Sequence, residues 1–384
     1  MKLVMEQSGQ SLSNYLNKFS LLNLHYLPTQ TSWNCFLFQI FSLFFLVMAL
    51  FKGFIFILEP FSPSTALLLG DYAINLGAPH HFLHSINLLW LLCGFICFNL
   101  IQSTNVSPKK QFWFHSLSIL EGDVPDWTRG TKAVVIYLFF HNLKSNLILG
   151  GAFSWCLYIP VLIESNSTEQ FFFLNLSGFN GAIAGYCCTA FCVNFSFIFA
   201  FYSVTTALKY DKIASRLRRQ VSTLSDPTII DSINHDLIQL LIENHKANYF
   251  WTQLNSTIFL LTFIAQIPIL YLIFFVPLTN FTKFSMVILG ALNFLCGQSI
   301  TFLSGSFAKT KLDKCHKQLN RLLISRDDLT FYHRIQLICS ADYLINRHLF
   351  YIFGQFEFTH INYLLVIMEI ISHLLLLIAN AGAG

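Results

Sequence analysis

The sequence predicts an all-α polytopic membrane protein with seven transmembrane helices. Of its 384 residues, 54% are hydrophobic and only 11% are charged, and the mean hydropathy is +0.57. A soluble domain usually carries about 25% charged residues, so this chain lacks the polar surface that water requires. The 42 Phe residues fit this prediction, because lipid tolerates exposed aromatic rings that water does not.

Seven segments are apolar and long enough to cross a bilayer, which takes about 20 residues of helix. They are Asn34–Leu58, Phe82–Ile101, Ser145–Ile163, Phe171–Tyr202, Tyr249–Val276, Phe284–Phe307 and Phe358–Asn380. The fourth and fifth exceed the bilayer thickness, so we expect them to tilt or to extend into water. The first apolar segment is too long and too far from Met1 for a cleaved signal peptide. We expect one seven-helix domain over 1–384, as a multi-pass protein of the plasma membrane.

The distribution of Lys and Arg predicts the orientation. Of the 23 such residues, 20 fall before the first span or in the loops 2–3, 4–5 and 6–7, and only Lys283 falls in a loop on the opposite side. Because basic loops stay in the cytoplasm, we expect the N-terminus to be cytoplasmic and the C-terminus extracellular. G-protein-coupled receptors have seven spans in the opposite orientation, and their Asp-Arg-Tyr and Asn-Pro-x-x-Tyr motifs are missing here.

Two predicted cytoplasmic segments, within 203–248 and 308–353, place apolar residues at helical spacing between basic ones. In the second segment these residues form two stripes: Leu312, Cys315, Leu319, Leu322 and Leu323, and then Phe331, Ile335, Ile338 and Ile345. We therefore expect helical extensions of the membrane domain. An isolated apolar stripe is unfavourable in water, so helices at Lys311–Ser325 and Phe331–Ile352 should pack together or against other subunits.

The histidines at the start of the second span are the first candidate site. His80, His84 and Asn87 share one face of a helix. They could line an outward-facing ligand pocket, bind a metal, or lie at a helix end in the membrane interface. Membrane desaturases bind metal through several such histidine boxes on the cytoplasmic side, whereas this sequence has one, on the predicted outer side. We therefore expect no metal here. Asp71, in the preceding loop, is either a solvated carboxylate or a partner for a cationic ligand.

Enzyme motifs are missing from the sequence. It contains no His-Glu-x-x-His, no Gly-x-Ser-x-Gly and no phosphate-binding loop. We therefore predict no enzyme activity, no catalytic residue, no cofactor and no nucleic-acid partner. The ten Cys lie outside the predicted extracellular segments, so we expect packing roles and no structural disulfide.

The last span carries a polar stripe. On a helical wheel, one face within about 100° collects Glu369, Ser372, His373, Leu376 and Asn380. Lipid gives no reason to gather polar groups on one face, so this stripe should meet protein or water. A carboxylate inside a membrane is a functional candidate by default. Glu369 could equally pair with a neighbouring helix of the same subunit.

The C-terminal segment resembles the last helix of the insect gustatory and odorant receptor superfamily. Gly354 and Phe356 match the Gly-x-Phe element that opens that helix in gustatory receptors. The helix closes there with Thr-Tyr, five hydrophobic residues and Gln-Phe. In this sequence Leu374 to Ile378 match the five hydrophobic residues, Ser372 and His373 stand in place of Thr and Tyr, and Ala379 and Asn380 replace Gln and Phe. Chain length, span number, orientation and the long basic loops resemble the superfamily along the whole chain.

This resemblance implies a chemosensory ligand-gated cation channel that assembles as a homo- or heterotetramer. A small-molecule ligand would bind among the outer halves of spans one to six, and the last helix would line a shared pore. Four copies of the polar stripe would give an acidic ring at Glu369 and a Leu ring at Leu376, and the superfamily pattern marks Ala379 as near the gate. A transporter or a non-conducting membrane protein sharing the fold remains the alternative.

Overall fold

The structure of the chain, a computed structural model, describes residues 33–58, 61–74, 80–105, 129–165, 167–222, 227–327, 329–346 and 350–381. Nearly all of these residues are helical. The helices are α1 (Trp33–Leu58), α2 (Pro63–Leu68), α3 (His80–Asn105), α4 (Arg129–Cys156), α5 (Ile159–Ile163), α6 (Thr168–Cys188), α7 (Asn194–Ser222), α8 (Pro227–Phe275), α9 (Asn280–Phe294), α10 (Ile300–Ser325), α11 (Phe331–Asn346) and α12 (His360–Ala381). A two-stranded antiparallel ribbon pairs β1 (Tyr351–Ile352) with β2 (Phe356–Glu357).

Within the described residues, six helical stretches are long and apolar enough to cross a membrane. They are Leu37–Leu58, His80–Gln102, Thr168–Val221, Thr228–Phe275, Asn280–Ser325 and His360–Asn380. They contain all or most of each predicted span except the third. The third prediction, Ser145–Ile163, is not one continuous helix, because α4 runs from Arg129 to Cys156 and ends inside the predicted span. A turn then leads into α5, whose Pro160 lacks the backbone N–H that a continuous helix would use.

Two of the long helices pass through a single π-helical turn. Thr189–Val193 joins α6 to α7, and Leu295–Ser299 joins α9 to α10. Beyond these turns α7 and α10 pack along each other over most of their length. The first predicted stripe lies in this interface, where Leu312, Cys315, Leu319 and Leu322 are each at most 1% exposed. That stripe therefore belongs to the core of the chain itself.

The helix predicted over Phe331–Ile352 is shorter than expected. It ends at Asn346, and the chain forms a hairpin before α12 begins. Phe353 and Gly354, with φ of 53° and 69°, make the tight turn. The Gly354-x-Phe356 element thus lies in this hairpin and not at the start of the last helix. The hairpin is fixed by tertiary contacts, since the Phe353 amide donates to Ser256 Oγ at 2.7 Å.

The second predicted stripe faces away from the rest of the chain. Phe331 is 80% exposed and Ile338 is 55% exposed, whereas the opposite face of α11 buries Leu337, Ala341 and Leu344. Helix α11 is therefore apolar on two faces, one packed within the chain and one open. The open face is an exposed apolar surface in the described chain.

Candidate functional site

A cavity of about 440 Å³ lies among α1, α3, α4, α6 and α9. Most of its wall is apolar or aromatic, with contributions from Phe56, Trp90, Phe153 and Tyr158. Pockets of roughly 300–1,000 Å³ that are largely apolar, with a few polar groups, are typical of small-molecule sites. The polar side chains that line the wall are Lys52, Tyr72, His84, Asn87, Asn146, Ser154, Tyr158, Asn180 and Thr189.

The histidine cluster lies at one end of this cavity. His84 and Asn87 line the wall, as expected for pocket residues on one helix face. His80 lies one turn before His84 and instead contacts Asp71, part-buried beside the cavity. His84 stacks on Phe56 with ring centroids 4.9 Å apart. The cluster therefore joins α1, α3 and the loop between them at the rim of the cavity.

Asp71 is fully buried, which corrects its interpretation as a solvated loop carboxylate. It has 0% exposure and accepts hydrogen bonds from three donors. His84 Nε2 donates to Oδ1 at 2.9 Å, the Ala73 amide donates to the same oxygen at 2.8 Å, and His80 Nε2 donates to Oδ2. A buried charge is tolerated only when its oxygens are satisfied in this way. The sequence could not show it, because the loop folds back under α3.

The electrostatics of Asp71 follow from these contacts. Burial alone would raise the pKa of its carboxyl group. The hydrogen bond and charge of His84, then the hydrogen bonds from His80 and the Ala73 amide, outweigh burial and lower the pKa below its usual value. Asp71 is thus a carboxylate at neutral pH, and both of its oxygens are already occupied.

Lys52 lines the cavity, although the sequence interpretation did not single it out. It lies in α1 and lines the cavity with its ammonium group against aromatic rings. Lys52 Nζ is 5.7 Å from the ring centroid of Phe56 and 5.9 Å from that of Tyr158. One signal was available: Lys52 is the one charged residue inside an apolar segment of 25 residues, Asn34–Leu58, and such charges mark functional positions.

Two groups of side chains have the composition of metal ligands. The ligand atoms of Asp71, His80 and His84 lie within 4.8 Å of one another, as do the thiols of Cys93, Cys97 and Cys192. In the first group both histidines already donate to the carboxylate, which explains the geometry without a metal. The three cysteines are fully buried in the core, in keeping with the packing role expected for them. The expectation that the protein binds no metal remains a prediction.

The polar face of the last helix is largely open in the single chain. The side chain of Glu369 is 61% exposed and Leu376 is 59% exposed, and Ser372, Ala379 and Asn380 are exposed as well. Glu369 Oε1 lies 3.1 Å from His373 Nε2, one turn away on the same helix. Glu369 therefore pairs within its own helix and not with a neighbouring helix. Only Ile370, on another face, is deeply buried within the described part of α12.

The fold as a whole is similar to that of an insect olfactory receptor. A structure of the olfactory receptor OR5 from Machilis hrabei in complex with eugenol matches with a TM-score of 0.67 and 14% identity, covering 91% of this chain and 90% of that one. A second structure of OR5 matches with a TM-score of 0.65 and 12% identity, over 96% and 98% of the two chains. No family model and no curated protein sequence matches this chain.

This similarity confirms two predictions at the level of the fold. The chain is all-α and polytopic, and its fold is similar to that of an insect olfactory receptor, in line with the resemblance seen in the C-terminal pattern. The absence of enzyme activity remains a prediction from the missing sequence motifs. The orientation of the termini remains a prediction from the Lys and Arg distribution.

Proposed function

We propose that this chain, which has the fold of the insect olfactory receptors, is a chemosensory receptor of the gustatory receptor type. It forms a tetrameric ligand-gated cation channel in the plasma membrane, as a homo- or heterotetramer. The observation that carries this proposal is a fold match along nine tenths of both chains, joined to a cavity of small-molecule size. OR5 itself is solved with eugenol, a small organic ligand, which supports a ligand of similar size here.

The last helix supports the channel part of the proposal. A helix that is apolar and exposed on most sides, yet carries Glu369, Ser372 and Asn380 on one face, is unfavourable as a lipid-facing surface. Assembly of four chains around that face would give the polar groups a water-filled path. The Glu369 carboxylates would then favour cations, and a ring of Leu376 would close the path by dewetting.

The open face of α11 supports the tetrameric part. Its Phe331, Ile335 and Ile338 are exposed on a helix that the Lys and Arg distribution places in the cytoplasm, where lipid cannot cover them. A contact between neighbouring subunits at this level would cover the stripe. The pore and this contact would then lie at different depths of the same assembly.

Ligand-evoked current in a heterologous cell tests the proposal. Single cysteines at Leu376 and Asn380 should make the current sensitive to a thiol reagent applied from outside. Ile378→Cys is the matched control, because on the wheel it lies on the opposite side of α12 at a similar depth. If current is present and the reagent affects neither Leu376→Cys nor Asn380→Cys more than Ile378→Cys, this face does not line the pore.

A further inference from the structure

We propose that the cavity is selective for an organic anion: an apolar small molecule with a carboxylate that pairs with Lys52. This inference rests on the proposed function as a small-molecule receptor, and it adds the chemical class of the ligand. It is carried by the charge distribution in the cavity wall.

Lys52 is the one Lys, Arg, Asp or Glu residue in the described wall of the cavity. The loop residue Gly70 packs closely against the Lys52 ammonium: a Cβ added to Gly70 would lie only 2.8 Å from Lys52 Nζ. The loop therefore covers the ammonium. No carboxylate oxygen of the described residues lies within the 4.0 Å of an ion pair with Lys52. The flanking rings of Phe56 and Tyr158 attract the cation but do not neutralise it.

Asp71 is the nearby group that would ordinarily neutralise Lys52. It acts on the ammonium through space, without a direct contact. Its two oxygens instead accept from His80, His84 and the Ala73 amide. The histidine pair therefore holds the carboxylate away from Lys52. An anionic group in the cavity would supply the missing partner.

Two further features of the wall favour a carboxylate with an apolar body. The indole Nε1–H of Trp90 is buried and has no hydrogen-bond acceptor within the described part of the chain. A carboxylate has four lone-pair positions, so it can accept from Lys52 and from further donors at once. The remaining wall, including Leu83, Leu149 and Leu289, matches a hydrocarbon or aromatic body.

Equilibrium binding to the purified full-length chain in lipid nanodiscs tests the inference without requiring current. The probes are matched pairs that share a skeleton: hexanoate and hexanol, octanoate and octanol, decanoate and decanol, cinnamate and cinnamyl alcohol. In the wild type we expect at least one carboxylate to bind roughly tenfold more tightly than its alcohol, which corresponds to about 1.4 kcal/mol. Lys52→Met should bring that ratio to about one, and Lys52→Arg should retain most of it.

Lys283→Met is the control, because Lys283 is exposed on the first turn of α9 and should leave the ratio unchanged. The inference is wrong if no carboxylate in the wild-type panel binds more tightly than its alcohol, or if folded Lys52→Met keeps the preference. The wild-type comparison decides even if Lys52→Met fails to fold. Lys52-dependent carboxylate binding without any current would overturn the channel and leave this inference standing. Current evoked by the alcohols and by none of the carboxylates would overturn this inference and leave the channel proposal standing.

Discussion

Replacing Asp71 with alanine removes the acceptor for three hydrogen-bond donors at the rim of the cavity. The carboxylate is 0% exposed, and the His84 side chain that donates to it is 2% exposed. The Ala73 amide and His80 Nε2 donate to the same group. After the substitution, two of these donors are buried without an acceptor, and water cannot replace the carboxylate without opening the loop. The loop between α1 and α3 should therefore loosen and the cavity should lose its cover over Lys52.

The magnitude follows from the burial. Leaving one buried donor without an acceptor typically costs about 1–3 kcal/mol, so two such donors together cost about 2–6 kcal/mol. We expect Asp71→Ala to destabilise the chain within this range. Asp71→Asn keeps the shape and one acceptor but loses the charge, so its effect should be smaller. The sign of the pH dependence also follows, because the folded-state pKa of Asp71 is below the usual 3.8. Its contribution is present above 3.8 and is lost as the pH falls through the folded-state pKa.

The assay is thermal unfolding of the purified chain in detergent, followed by tryptophan fluorescence. Asp327→Ala is the matched control, since Asp327 pairs with Arg334 at 3.2 Å but its side chain is fully exposed. That control should melt like the wild type, because exposed ion pairs contribute little. If Asp71→Ala also melts like the wild type, the three donors do not depend on Asp71 and the reasoning about this loop fails.

Three further predictions concern assembly, orientation and packing. Ile338→Glu should lower the oligomer yield in native gels while the monomer remains folded, since Ile338 is 55% exposed, whereas Leu319→Glu should abolish folding, since Leu319 is 1% exposed. Equal oligomer yields for Ile338→Glu and wild type would count against a contact through α11. An epitope after Gly384 should be labelled on intact cells and one before Met1 only after permeabilisation; the reverse labelling would overturn the orientation. Gly185→Ala should destabilise the chain by about 1–3 kcal/mol in the same melting assay, because the added Cβ would lie 2.9 Å from the Gly150 carbonyl oxygen. An unchanged melting temperature would show that α4 and α6 can separate freely.

The sequence predicted the membrane spans well, because transfer into lipid depends on the composition of each helix by itself. Six of the seven predicted spans lie in helices that are long and apolar enough to cross a membrane. The third span shows the limit of this approach. Charged and polar residues interrupt the first half of α4, among them Arg129, His141 and Lys144, so the predicted span began at Ser145, whereas α4 begins at Arg129. Backbone hydrogen bonding continues a helix past the point where hydropathy ends, and hydropathy cannot detect that continuation.

Helical periodicity identified apolar faces but could not say what covers each one. The stripes at Leu312–Leu322 and Phe331–Ile338 looked alike in sequence. In the structure the first is buried against α7 and the second is open. Which of two similar faces meets the chain's own core depends on how α7 and α10 cross, and that is a long-range property. The same holds for the hairpin before α12, which includes Tyr351 and Ile352, two residues predicted to end a helix. Phe350 and Phe358, on either side of it, both contact the buried ring of Phe199.

By itself the sequence determined the fold class, the approximate spans, the resemblance at the C-terminus and the polar face of the last helix. These follow from transfer of side chains between water and lipid and from helical spacing, and both are local properties. Only the tertiary structure decided that Asp71 is buried between two histidines and that Lys52 faces a cavity. The physical reason is that an ion pair depends on distances of a few ångströms between groups that the sequence places far apart. For Lys52 and Asp71 the fold brings the charges near each other and then holds the carboxylate with other donors.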